Sequence, residues 1–117
     1  MQTVLIHQPI AILHPSGHLN ASTATEFQHQ LIQALSSQGT AALLVNMEQV
    51  EFLDSAGLMS LVSALRLARS LNRRFSLCSV SPTIRMVFEL SQLDRVFEIF
   101  ESEAAFASTW SAMQADQ

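Results

Sequence analysis

Short apolar runs alternate along this chain with longer segments whose apolar residues recur at three- and four-residue steps, and that alternation leaves few folds open. Thr40 to Val45 is such a run, flanked by turn and polar residues as a buried strand is. From Leu58 to Leu71 the period changes. Leu58, Leu61, Val62, Leu65 and Ala68 fall on one helical face, and Met59, Ser60, Ser63, Arg66, Leu67 and Ser70 on the other. Between strand and helix lies Val50-Glu51-Phe52-Leu53-Asp54-Ser55-Ala56-Gly57-Leu58, which reads as a functional loop rich in small and polar residues.

The rest of the chain repeats the alternation. Thr3 to Ile6 and Ile10 to Leu13 are strand-like runs around Gln8-Pro9, the pattern of an opening hairpin, and Pro15-Ser16-Gly17 ends the second. A helix is expected from Ala21–Thr25 onward, with Thr23 and Glu26 spaced as a capping box, Phe27, Leu31, Ala34 and Leu35 inward, and Gly39 closing it. Phe75 to Val80 is a further buried strand. Ser81-Pro82 opens a helix with Ile84, Val87, Phe88 and Leu93 inside, and Val96 to Phe100 is a short strand. Glu101 to Glu103 then lead into a last helix carrying Phe106, Trp110 and Met113. The order β-β-α-β-α-β-α-β-α predicts one α/β domain over residues 1–117, with about five strands and four helices in a mixed, mostly parallel sheet.

Composition narrows the function classes. A net charge of −4, with six arginines and no lysine, argues against a nucleic-acid surface. No apolar stretch approaches a membrane span or a signal peptide, so a cytoplasmic protein is expected, with no membrane association. The single cysteine, Cys78, lies in an apolar run and reads as a buried structural thiol. His14 and His18 are four apart, but Pro15 and Gly17 break any helix that would align them, so they read as loop histidines.

Chemistry concentrates in the central segment. A helix start leaves its first N–H groups unpartnered and carries partial positive charge, so Asp54 or Ser55 is a natural cap, and the same place holds a phosphate well. The residues alone leave both roles open for Ser55. An adjacent acid and hydroxyl seldom face one another, no histidine stands nearby in sequence as a base, and no glycine-rich phosphate loop is present. No catalytic residue, metal or cofactor is therefore expected.

Asn46 to Leu58 closely resembles the signature segment of STAS domains, specifically the anti-sigma factor antagonists of bacteria. Gly17-His18-Leu19-Asn20 resembles that family's turn before the first helix, and Ser81-Pro82, Arg85, Phe88 and Ser91-Gln92-Leu93 its later helix. Asn20 stands where the family often has Asp, and Gln92 where it often has Gly. The resemblance implies binding to a serine-kinase anti-sigma factor, inactivation by phosphorylation of Ser55, and restoration by a serine phosphatase. A monomer or weak homodimer is expected, and the loop-and-helix face that adjoins Ser55 gives the expected partner-binding surface of Asn20, Asp54, Ala56, Gly57, Met59, Ser60 and Ser63. The alternative within the same fold is a STAS subunit of a lipid or anion transport system, or of a stress-signalling assembly.

Overall fold

The computed structural model describes residues 9–115, so the expected strand Thr3 to Ile6, and the hairpin built on it, lie outside the described residues. Strands β1 (Ile10–Leu13), β3 (Ala42–Asn46), β5 (Arg74–Cys78) and β6 (Glu98–Phe100) form a parallel sheet in that order. Two further strands, β2 (Gly17–Leu19) and β4 (Val50–Leu53), pair in parallel as a separate ladder at the carboxyl end of the sheet. Four helices join them: α1 (Ala24–Ser36), α2 (Ser55–Ser70), α3 (Pro82–Leu90) and α4 (Glu103–Ala115).

Strand alternation sorts the core into two layers. Leu43 and Val45 of β3 and Phe75 and Leu77 of β5 meet Phe27, Leu31 and Leu35 of α1, Leu58, Leu61 and Leu65 of α2, and Ile84 and Phe88 of α3. Ala42, Leu44 and Cys78 face the other way, against Phe106 of α4, with half-buried Trp110 stacked on Phe106 at 6.0 Å. Burial pushes the Cys78 thiol up, which suits an inert packing role. On this second face the Arg74 guanidinium and the Ser76 hydroxyl both hydrogen-bond the Glu98 carboxylate. Partial burial raises that carboxyl, but hydrogen bonds from Arg74 and Ser76 outweigh it and hold the group below its ordinary value of 4.5.

The structure corrects five expectations. Val50 to Leu53 is strand rather than loop, and Gly17 to Leu19 is a strand the sequence pattern did not reveal. Thr23 and Glu26 form no capping box. The Thr23 hydroxyl donates to His18 O at 2.8 Å and accepts from Asn20 N at 3.0 Å, and Asn20 Oδ1 accepts from Ser22 N at 2.9 Å, so the turn into α1 is built on Asn20. Helix α1 ends at Ser36, and Gly39 serves the following turn at φ +87°. Ser60 does not lie on an outer face. It is 3% exposed beneath α1, its hydroxyl 3.3 Å from Ala24 O and 3.2 Å from Ala56 O.

Candidate functional site

The β2–β4 ladder places the site. Leu19 pairs with Leu53, both buried, and Asp54 N donates to Leu19 O at 3.1 Å. The two chain segments that leave the ladder, Asn20 and Asp54, therefore emerge side by side where α1 and α2 begin. Asp54 is the cap of α2: its Oδ1 accepts from Ala56 N at 2.9 Å and from Gly57 N at 3.1 Å, while its carbonyl accepts from Leu58 N at 2.9 Å.

Ser55 is thus the first residue inside the helix rather than its cap. It is exposed, and its hydroxyl makes no hydrogen bond within the described residues. Met59 and Ser63 follow at four-residue steps on the same ridge, Met59 51% exposed and Ser63 half-buried. Ala56 is half-buried. Gly57 is buried in the first turn, and its role is steric, because a β-carbon there would stand 2.4 Å from Leu19 O. Of the expected surface, Asn20, Asp54, Ser55, Ala56 and Met59 are brought together at one end of the sheet. Ser63 extends that face, and Gly57 and Ser60 support it from within.

One feature of the site escaped the sequence pattern. The register passes from Gly17 opposite Val50 to His18 opposite Phe52, so Glu51 is an extra residue in β4, a β-bulge. The bulge lets Val50 and Leu53 both point inward and turns both Glu51 and Phe52 outward. Phe52 is 49% exposed, its ring centroid 5.7 Å from that of His18, and His18 Nε2 lies 3.9 Å from Glu51 Oε1. The available signal was Val50 and Leu53 standing three apart, a spacing that an unbroken strand cannot bury on one face.

Close by, His14 Nε2 at 2.8 Å and Asn46 Nδ2 at 2.6 Å both donate to Glu103 Oε2, tying the start of α4 to the ends of β1 and β3. The Asn46 amide, then the His14 ring, hold the Glu103 carboxyl below the ordinary carboxylate value. Among the described residues no three His, Cys, Asp or Glu side chains are grouped to hold a metal ion, and no helix is long and apolar enough to cross a membrane.

The geometry so far fixes a capped helix start with an exposed serine, and comparison with known proteins supplies the family. The family model described as "STAS domain" matches residues 2–106. The chain belongs to the STAS domain family. The anti-sigma F factor antagonist of Paenibacillus polymyxa is 22% identical to this STAS chain over 97 residues, 83% of each chain. SpoIIAA, the Bacillus cell fate determinant, solved in its phosphorylated form, superimposes with a TM-score of 0.64 at 20% identity, over 99% of this chain and 98% of that one. A sulfate transporter family protein from Wolinella succinogenes superimposes with a TM-score of 0.79 at 13% identity, over 97% and 93%. At such identities the structural likenesses speak to fold alone. The STAS fold is what all of them share with this chain.

Proposed function

We propose that this STAS domain is an anti-sigma factor antagonist that binds a serine-kinase anti-sigma factor through the face around Ser55 and is switched off by phosphorylation of Ser55. A serine phosphatase restores it. The observation that carries the reading is the exposed Ser55 hydroxyl, without a hydrogen bond among the described residues, on a helix turn whose backbone Asp54 already holds. The antagonist name of the Paenibacillus relative and the phosphorylated form of SpoIIAA support it. The transport-subunit reading has a fold likeness at 13% identity behind it.

A phosphate on Ser55 adds about −1.5 to −2 charge at neutral pH. Of the first helical amides, those of Ala56 and Gly57 are already bonded to Asp54, so the fold gains little from the new group. A docked partner meets it differently. A charge left unpaired in an interface costs roughly 2–5 kcal/mol, or about 30-fold and upward in affinity. The test is incubation with the serine kinases of the same genome and ATP, location of phosphate by mass spectrometry, and calorimetry of both forms against the kinase that acts. Phosphorylated protein should melt near the unmodified protein and bind at least ~30-fold more weakly. Ser55→Ala should resist phosphorylation yet bind, since Ser55 is not the cap. Equal affinity of the two forms would refute the switch.

A further inference from the structure

The bulge in β4 has a consequence at the surface. The extra residue, Glu51, brings Val50 back to the core and leaves two successive side chains outside, Glu51 itself and the half-exposed Phe52, whose ring lies tilted at 53° beside that of His18. Most other phenylalanines of the described chain are packed: Phe27, Phe75, Phe88, Phe97 and Phe106 are each at most 4% exposed. Bulges recur where a strand must re-aim a side chain beside a functional site. Here the bulged Glu51 and its outward neighbour Phe52 are separated only by Leu53 from Asp54 and Ser55 on the same strand-to-helix connection.

The charge around this ledge says what would cover it. No Lys or Arg occurs before Arg66, whereas Glu48, Glu51 and Asp54 lie within seven residues at the carboxyl end of β3 and along β4. Glu101 and Glu103 follow β6 at the same end of the sheet. Arg66, Arg69, Arg73 and Arg74 run from the second half of α2 to the start of β5, at the opposite end, which leaves Arg85 of α3 as the arginine nearest the acidic end. An exposed aromatic ring within an acidic surround fits an apolar side chain flanked by basic ones.

We propose that the bulged outer face of β4, Phe52 seated on His18 with Glu51 beside it, is a second docking element next to Ser55 for a protein partner presenting an apolar side chain flanked by arginine or lysine. The proposal rests on the antagonist reading above, because the partner is the same kinase. Phe52 supplies the aromatic anchor, and Glu51 steers and orients the basic rim.

The experiment uses the full chain and the kinase of its genome that phosphorylates Ser55. Calorimetry compares wild type with Phe52→Ser, Glu51→Arg and, as a control, Leu90→Ser, whose side chain is exposed at the far end of α3. Phe52→Ser should weaken binding at least about tenfold, the scale of an aromatic anchor. Glu51→Arg, an exposed substitution that spares the core, should weaken binding at least about threefold and flatten the salt dependence of the association rate. Leu90→Ser should match wild type. Affinities of both ledge variants within twofold of wild type overturn the ledge and leave the Ser55 switch standing. Absence of any kinase that binds or modifies the chain overturns both. If sedimentation shows Phe52→Ser dissolving self-association of the free chain while kinase affinity is kept, the face joins two copies of this chain and the proposal fails.

Discussion

Replacing Gly57 with alanine tests how the site is held. A β-carbon there would stand 2.4 Å from the backbone oxygen of Leu19, 2.8 Å from Leu53 Cδ1 and 2.9 Å from Leu19 Cβ, where ordinary contact begins at 3.4 Å. The oxygen would have to retreat by about 1 Å, and it belongs to backbone, so no side-chain rotation relieves the overlap. The same oxygen accepts the Asp54 amide at 3.1 Å, a hydrogen bond worth about 1 kcal/mol that the retreat would strain. Overpacking typically costs ~1–3 kcal/mol, while alanine in place of glycine gains at most ~1 kcal/mol of helix propensity. The clash wins, and Gly57→Ala should lose about 2 kcal/mol. In urea that is a midpoint lower by about 1 M at unchanged slope. Ser63→Ala, on the same helix without the clash, should be neutral or slightly stabilising. A Gly57→Ala protein as stable as wild type would show that β2 yields freely, and the steric account of Gly57 would be wrong.

Removing the cap should be milder: Asp54→Ala leaves Ala56 N and Gly57 N without their acceptor and should cost about 1 kcal/mol in urea unfolding, with Asp54→Ser recovering most of it. No loss in Asp54→Ala would mean that the cap contributes nothing to stability. At Glu98 the expected readout is a pH profile. Its carboxyl is held below 4.5, so its bonds to Arg74 and Ser76 favour the folded chain above that pH, and the benefit disappears as the pH falls through the folded-state value. Wild-type Tm should therefore drop more steeply than that of Glu98→Gln below about pH 4.5, and parallel curves would refute the pairing.

The sequence carried the long elements well, because β3, β5 and the three apolar helical faces of α1, α2 and α3 each have an unbroken period. It failed where the period is broken or too short. Strand β2 has only three residues between Pro15 and Asn20, and β4 places its buried residues three apart around the bulged Glu51, so neither alternates. Ser60 departs from the pattern because α2 buries more than one face. Helix α2 is packed by the sheet on one side and by α1 on another, and small residues such as Ser60 and Ala64 are what the second contact admits. At the site, Asp54 was legible as a cap from residue type, and Met59 as an outward residue from spacing. The closeness of Asn20 to Asp54 came only with the family resemblance and not from residue pattern, since it arises from a parallel pairing between segments more than thirty residues apart.

The capped turn also says something about any enzyme that acts on Ser55. Protein-modifying enzymes often draw a flexible segment into an extended cleft, but here the backbone on both sides of the serine is engaged, by the ladder before it and by the helix after it. Pulling Ser55 into an extended conformation would undo the Asp54 cap and the first turn of α2 together. Under the proposed switch the hydroxyl is offered as a point on a rigid relief, and a kinase or phosphatase acting on it would have to be shaped to the folded domain. Recognition and catalysis would then be one event of shape, and a serine with no flanking basic or proline motif would be singled out from the other serines of the chain by the relief around it.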